Sequence, residues 1–119
     1  IENDQSVKFF GNITTSGGVV DQGYQYYIPT TGFWANILPG KSKFIMDPAG
    51  TLASGGVTLP NVAIDGTIIS VHSTQTITAF TANTLQSGTT IVPTVSTIAS
   101  GTGMDFFYHQ SENKWYKIR

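Results

Sequence analysis

T-I-I-S-V-H-S-T-Q-T-I-T-A-F-T-A-N-T-L-Q-S, residues 67–87, is the longest run of the chain without glycine or proline, so a helix should form here if it forms anywhere. Its apolar residues miss the i, i+3, i+4, i+7 spacing that builds a stripe on one helix face. About half of the run is Thr, Ile or Val, whose branched Cβ carbons crowd a helix and suit a pleated sheet. The run is therefore predicted as two strands, about 67–72 and 76–81, separated by Ser73–Gln75. If its best helix candidate is strand, the chain needs no helix at all.

The rest of the sequence alternates short apolar stretches with turn signals. Lys8–Asn12 is a short opening segment. Gly23–Ile28 puts Tyr24, Tyr26 and Ile28 on one face of a strand and Gln25 and Tyr27 on the other. Pro29-Thr30-Thr31-Gly32 turns the chain into Phe33–Leu38, and Pro39-Gly40 turns it again before Ser42–Met46. Asp47-Pro48-Ala49-Gly50 follows. Asp65-Gly66 between Asn61–Ile64 and Thr67–Val71 is the strongest short hairpin signal. Pro93 interrupts Thr89–Val92 and Thr94–Ile98, which predicts an edge strand or a bulge. Asp105–His109 and Trp115–Ile118 flank a polar loop, Gln110–Lys114, of hairpin length. About eight to ten short strands at this spacing predict an all-β fold without significant helix, an antiparallel β-sandwich or jelly-roll-like domain. Thr51-Leu52-Ala53-Ser54-Gly55 is echoed by Thr97-Ile98-Ala99-Ser100-Gly101, which is read as shared turn chemistry rather than as a repeat.

At 119 residues the chain is read as a single β domain, residues 1–119. Charged residues make up 11% of it, less than half the share of about 25% in globular proteins. Thr, Ser, Asn, Gln and Gly supply the polarity instead. A net charge of −1 and the lack of any basic run argue against a nucleic-acid partner. The absence of cysteine excludes disulfides, thiolate metal sites and cysteine nucleophiles. No apolar run has the ~20 residues of a helical membrane span, so no membrane insertion is expected.

Motifs for chemistry are weak. Gly40-Lys41-Ser42 lacks the earlier glycine of a phosphate loop, Ala35 standing there, and no helix follows it. Asp105 and His109 lie on one face of a predicted strand about 13 Å apart at the usual rise per residue, too far to share a metal. The carboxylates at Asp47 and Asp65 sit in turns, where their side chains bond the local backbone. No G-x-S-x-G or comparable context activates a serine. Neither a cofactor nor a metal nor an enzyme activity is expected. Aromatic side chains are the remaining candidates for binding. Tyr24, Tyr26, Tyr27 and Trp34 cluster around one predicted turn, and His109 lies at the tip of the closing hairpin. Exposed rings stack against sugars, although the same residue types also fill cores and subunit contacts.

Two stretches carry a resemblance. D-P-A-G-T-L-A-S-G-G-V-T-L-P-N-V-A-I-D-G-T-I-I-S-V, residues 47–71, and the closing F-F-Y-H-Q-S-E-N-K-W-Y-K-I, residues 106–118, resemble C-terminal domains of the tail fibres and related appendages of tailed bacteriophages. The resemblance covers about residues 45–119; residues 1–44 show none. It implies a non-enzymatic β-structured domain on the virion surface, outside the cell and usually a homotrimer. Such a domain attaches to a host-surface glycan or protein, or decorates a capsid. Pro60, Asp65, Gly66, Trp115 and Tyr116 match the family's cadence and are implied to be architectural. The alternative from another class is a carbohydrate-binding module of a secreted bacterial protein. In either case residues 105–118 are expected to form the closing hairpin, with Trp115 and Phe106 or Phe107 packed inside.

Overall fold

The structure, a computed structural model, describes residues 23–60, 64–84 and 88–119 of the chain. The described residues contain nine strands and one short 3-10 turn. Strands β1 (Tyr24–Tyr27), β3 (Lys43–Met46) and β5 (Ile68–Ser73) pair in parallel in one sheet, A. Strands β2 (Phe33–Asn36), β4 (Leu52–Leu59) and β6 (Ile77–Thr84) pair in parallel in a second sheet, B. The chain thus passes A, B, A, B, A, B as it winds through three coils. This winding is that of a short β-solenoid.

The all-β expectation is met, but the antiparallel sandwich or jelly-roll is not. Pro29–Gly32 and Asp47–Gly50 have the composition of hairpin turns, yet each carries the chain from one sheet to the other. Residues 67–84 split into β5 and β6 as expected, and Ser73 to Thr76 form a corner between sheets rather than a hairpin. Asp65-Gly66 is a tight turn, with Gly66 at φ 86° and the Thr67 amide donating to the Ile64 carbonyl at 3.0 Å. The strand that follows pairs with β3 and β8 rather than folding back as a hairpin. The predicted segment Lys8–Asn12, and residues 61–63 of the segment Asn61–Ile64, lie outside the described residues.

Parallel stacking determines what each position must hold. Phe33 of β2 sits beside Gly55 of β4, which sits beside Phe80 of β6. A Cβ on Gly55 would lie 2.0 Å from Phe33 Cε1, so the missing side chain is the space that the Phe33 ring occupies. The next pair repeats the device on the outer surface, where a Cβ on Gly56 would lie 2.2 Å from Trp34 Cζ3. Trp34 lies over that glycine and donates from Nε1 to the hydroxyl of the buried Thr58 at 2.6 Å. Gly55-Gly56 therefore accepts Phe33 from inside and Trp34 from outside. Sheet A supplies Phe44, Met46, Ile69, Val71, Met104, Phe106, Tyr108 and Trp115 to the core, and sheet B supplies Phe33, Leu52, Val57, Leu59, Ile77 and Phe80. In β4 two residues separate the buried Leu52 from the inward Gly55, and in β6 two separate Ile77 from Phe80. The pairing skips one residue on each strand there, Ala53 and Thr78, so inward alternation resumes in register.

Sheet A continues beyond the coils. β8 (Thr102–His109) runs antiparallel to β5, and β9 (Lys114–Lys117) runs antiparallel to β8. These two strands are the closing hairpin expected from the sequence. Trp115 and Phe106 are buried, and Phe107 faces outward and is half-buried. The connection is the 3-10 turn Gln110–Glu112 followed by Asn113 in the left-handed conformation. β7 (Thr90–Val92) lies at the edge of sheet A, as Pro93 implied. The two copies of the T-x-A-S-G echo flank one strand: Leu52 pairs with Ile77 in parallel, and Ile98 bridges Ile77 antiparallel from the other side. Opposite directions exclude a repeat unit here.

Candidate functional site

Tyr24 and Tyr26 alternate with the inward-facing Gln25 and Tyr27, so both tyrosines stand on the outer face of sheet A. They are 55% and 52% exposed, which makes them the largest uncovered rings on that face. Register extends their rows across the sheet. Tyr24 aligns with Lys43, Ser70 and Asp105, and Tyr26 aligns with Ile45, His72 and Gly103.

The Tyr26 ring is fixed at its far end. Its hydroxyl donates to Asp47 Oδ2 at 2.6 Å, while Thr74 Oγ1 donates to Asp47 Oδ1 at 2.8 Å. The hydrogen bond from Tyr26, followed by that from Thr74, holds the Asp47 carboxyl below its usual range. The same bond pushes the Tyr26 phenol above its usual range. A ring tethered in this way keeps one orientation without a ligand, which lowers the ordering cost of stacking.

The other aromatic candidates do not join this surface. Tyr27 turns toward the coil, its ring 5.9 Å from Phe33 and 6.4 Å from Phe44, while remaining 39% exposed. Trp34 lies on the outer side of sheet B, bound to Thr58. His109 is at the far end of sheet A on β8. The five residues that the sequence grouped are thus divided among separate surfaces, with Tyr24 and Tyr26 forming the one shared face.

His109 has a local network of its own. Its Nδ1 is 2.8 Å from Glu112 Oε1, and Ser111 Oγ is 3.1 Å from its Nε2. Hydroxyl, imidazole and carboxylate in that order make the relay of a serine hydrolase. Here the His109 and Glu112 side chains are 42% and 45% exposed on an open turn, where water screens the charges that a preorganised site relies on. Glu112 Oε1 is shared with the Tyr116 hydroxyl, whose bond is the main cause of the lowered Glu112 carboxyl. The network ties the turn to β9.

The residues implied to be architectural make the following contacts. Asp65 Oδ1 accepts the Gln110 amide at 2.8 Å, linking the Asp65-Gly66 turn to the closing hairpin. The Gly66 amide donates to the Tyr108 carbonyl at 2.9 Å. Trp115 packs on Tyr108 with ring centroids 5.1 Å apart, and Pro60 is buried. Among the described residues, no three His, Asp or Glu side chains converge as a metal site would require.

Ser70 and His72 were not singled out from the sequence, and Asp105 was weighed there only against His109. They come from β5 and β8, separated by more than thirty residues, and meet only because those strands pair. The Ser70 hydroxyl donates directly to Asp105 Oδ1 at 2.7 Å. Imidazole does not stand between the two, so this is not a nucleophilic relay.

No protein-family model matches the chain, and comparison with characterised proteins and with solved structures finds no significant match.

Proposed function

We propose that the chain is a non-enzymatic surface domain of a tailed-phage fibre or related virion appendage, attaching to the host surface through the outer face of sheet A. The observation that carries this reading is the pair of exposed tyrosines, Tyr24 and Tyr26, on an outer sheet face, with Tyr26 held rigid by Asp47. Aromatic faces beside hydroxyl-reading polar groups suit a glycan target. The resemblance of residues 45–119 to fibre C-terminal domains supports the virion setting and a homotrimer.

A capsid decoration role would use the same stable scaffold with little adhesion. A carbohydrate-binding module of a secreted protein is the reading from another class, and the completeness of the Tyr24–Tyr26 face within one chain favours it. Light scattering over a dilution series, combined with binding of the labelled chain to a panel of bacterial cells, tests the proposal. Three chains that stay together and bind cells through Tyr24 and Tyr26 are expected. A monomer that binds free oligosaccharide and no cells would replace the virion reading with the module.

A further inference from the structure

A shallow depression of about 220 Å³ lies on the outer face of sheet A, between β5 and β8. Its floor is the backbone at Val71, Gly103 and Met104, and its rim carries Ser70, His72, Asp105 and Arg119. Gly103 leaves it open, because any side chain there would project from the floor beside His72. The rim holds opposite hydrogen-bonding characters close together. Asp105 Oδ1 accepts from Ser70 at 2.7 Å, and Asp105 Oδ2 lies 3.4 Å from Arg119 Nη2. The Asp105 side chain is only 20% exposed, whereas that of Arg119 is 81% exposed. A carboxylate has about four acceptor sites and a guanidinium five donors, so the pair retains capacity on both sides.

The depression does not stand alone. His72 on its rim and Gly103 on its floor belong to the register row of Tyr26. Ile45, half-buried, lies between Tyr26 and His72 in that row. From Tyr26 to Gly103 is three strand steps, about 14 Å at the usual spacing. The row therefore passes from a tethered aromatic ring, over an apolar residue, to a polar depression. That order of surfaces suits a ligand whose flat apolar faces and hydroxyl edges alternate along a short chain.

We infer that this row binds a neutral oligosaccharide, one ring stacked on Tyr26 and another reading its hydroxyls against His72, Asp105 and Arg119. The inference rests on the attachment reading above and specifies its ligand class and the residues that recognise it. A neutral sugar fits because Asp105 and Arg119 offset each other, so the pair gives the rim no net charge that would favour an acidic or a basic ligand. A metal ion would find a single carboxylate here. A peptide added as a strand would need a sheet edge rather than this face.

The test is a ¹H–¹⁵N NMR titration of the chain with maltotriose, cellotriose, mannotriose and chitotriose, each run on the wild type and on three variants. Saturable shifts for at least one sugar are expected at the amides of residues 26, 45, 70, 72, 103 and 105. Asp105→Asn keeps the side-chain volume and should weaken that sugar about tenfold, as loss of a charged hydrogen bond does. Tyr26→Ala should remove saturable binding. Trp34→Phe, on the other sheet, should leave the affinity unchanged while reporting the same folded spectrum. Absence of saturable shifts with all four sugars, shifts centred on Trp34, or unchanged affinity in Asp105→Asn would overturn the inference. If the wild type binds cells and Asp105→Asn binds them equally, the sugar site fails and attachment stands. If sugars saturate this row but no cell surface is bound, the site stands and the attachment reading fails.

Discussion

Replacing Gly55 with alanine adds one methyl group at a place where the structure leaves no room. The new Cβ would lie 2.0, 2.3 and 2.7 Å from Cε1, Cδ1 and Cζ of Phe33. Real carbon contacts do not form at such distances, and the obstructing ring is itself buried, so ring and strand must shift. Overpacking of this kind costs about 1–3 kcal/mol. Gly55 has no positive φ, so the same change also restricts the unfolded chain, which stabilises by about 0.4–1 kcal/mol. The clash wins, with a net loss of about 1–2 kcal/mol. For a domain of this size that lowers Tm by roughly 4–8 °C.

The decisive comparison is made in a second background. Phe33→Leu removes Cε1 and Cζ and leaves methyl groups free to rotate away. There Gly55→Ala should become neutral or stabilising by up to about 1 kcal/mol, giving a coupling energy of about 1–3 kcal/mol. Equilibrium guanidinium denaturation of the four proteins measures it, provided that the denaturant slope stays constant. Gly55→Ala raising the midpoint on its own would refute the reasoning, as would an equal cost in both backgrounds. Either result would mean that Phe33 does not lie on Gly55, and the parallel pairing of β2 with β4 would fall with it.

Three further outcomes are expected. Acrylamide should quench Trp34, which is 50% exposed, and spare Trp115, which is 1% exposed, so that Trp34→Phe leaves a blue-shifted, quencher-resistant emission spectrum. Asn113 holds φ 53° and accepts from Thr89 at 2.7 Å and Tyr108 at 3.1 Å through Oδ1. Asn113→Gly and Asn113→Ala both lose these bonds, but only alanine resists the left-handed backbone, so it should be less stable than glycine by about 1 kcal/mol or more in thermal melts. The lowered carboxyl of Asp47 contributes stability that is present above the ordinary carboxylate pKa of ~3.9 and is lost as pH falls through the folded-state value. Melting temperature measured downward from pH 6 should therefore fall less steeply in Asp47→Asn than in the wild type.

Most strand positions were readable because branched residues and two-residue alternation act locally, but β4 (Leu52–Leu59) was missed and the expected strand Thr94–Ile98 forms only the bridge at Ile98. The outward Tyr24 and Tyr26 and inward Gln25 and Tyr27 follow from that period alone, and the closing hairpin follows from two apolar runs around a polar loop. Strand direction was not readable, because Pro-Gly and Asp-Gly signals specify that the chain turns and not which strand it meets next. A corner and a hairpin can share one composition. Nor did the coils announce themselves by a fixed period: sheet A partners are offset by 19 and 27 residues, from Tyr24 to Lys43 to Ser70. In sheet B the offsets are 22 and 25, from Phe33 to Gly55 to Phe80. Gly55-Gly56 interrupted the strand pattern of residues 52–59, and adjacent glycines in a strand interior mark a close approach by something bulky.

The same parallel winding explains why the candidate site was only half visible. Its aromatic part lies on one strand and obeys a local rule; its polar part needs β5 to pair with β8. Asp47 links the two levels. It follows β3 in the second coil, takes the hydroxyl of Tyr26 from the first and that of Thr74 after β5 in the third, while its amide donates to the Tyr27 carbonyl at 2.9 Å. One carboxylate thus fastens three coils at a corner and orients the ring proposed to bind. Tyr26→Phe separates those duties, since it keeps the ring and the Thr74 bond and removes only the tether. Sugar affinity that falls in Tyr26→Phe while the fold persists would show that orientation of the ring, beyond its presence, contributes to recognition. Equal affinity would assign Asp47 to the scaffold alone.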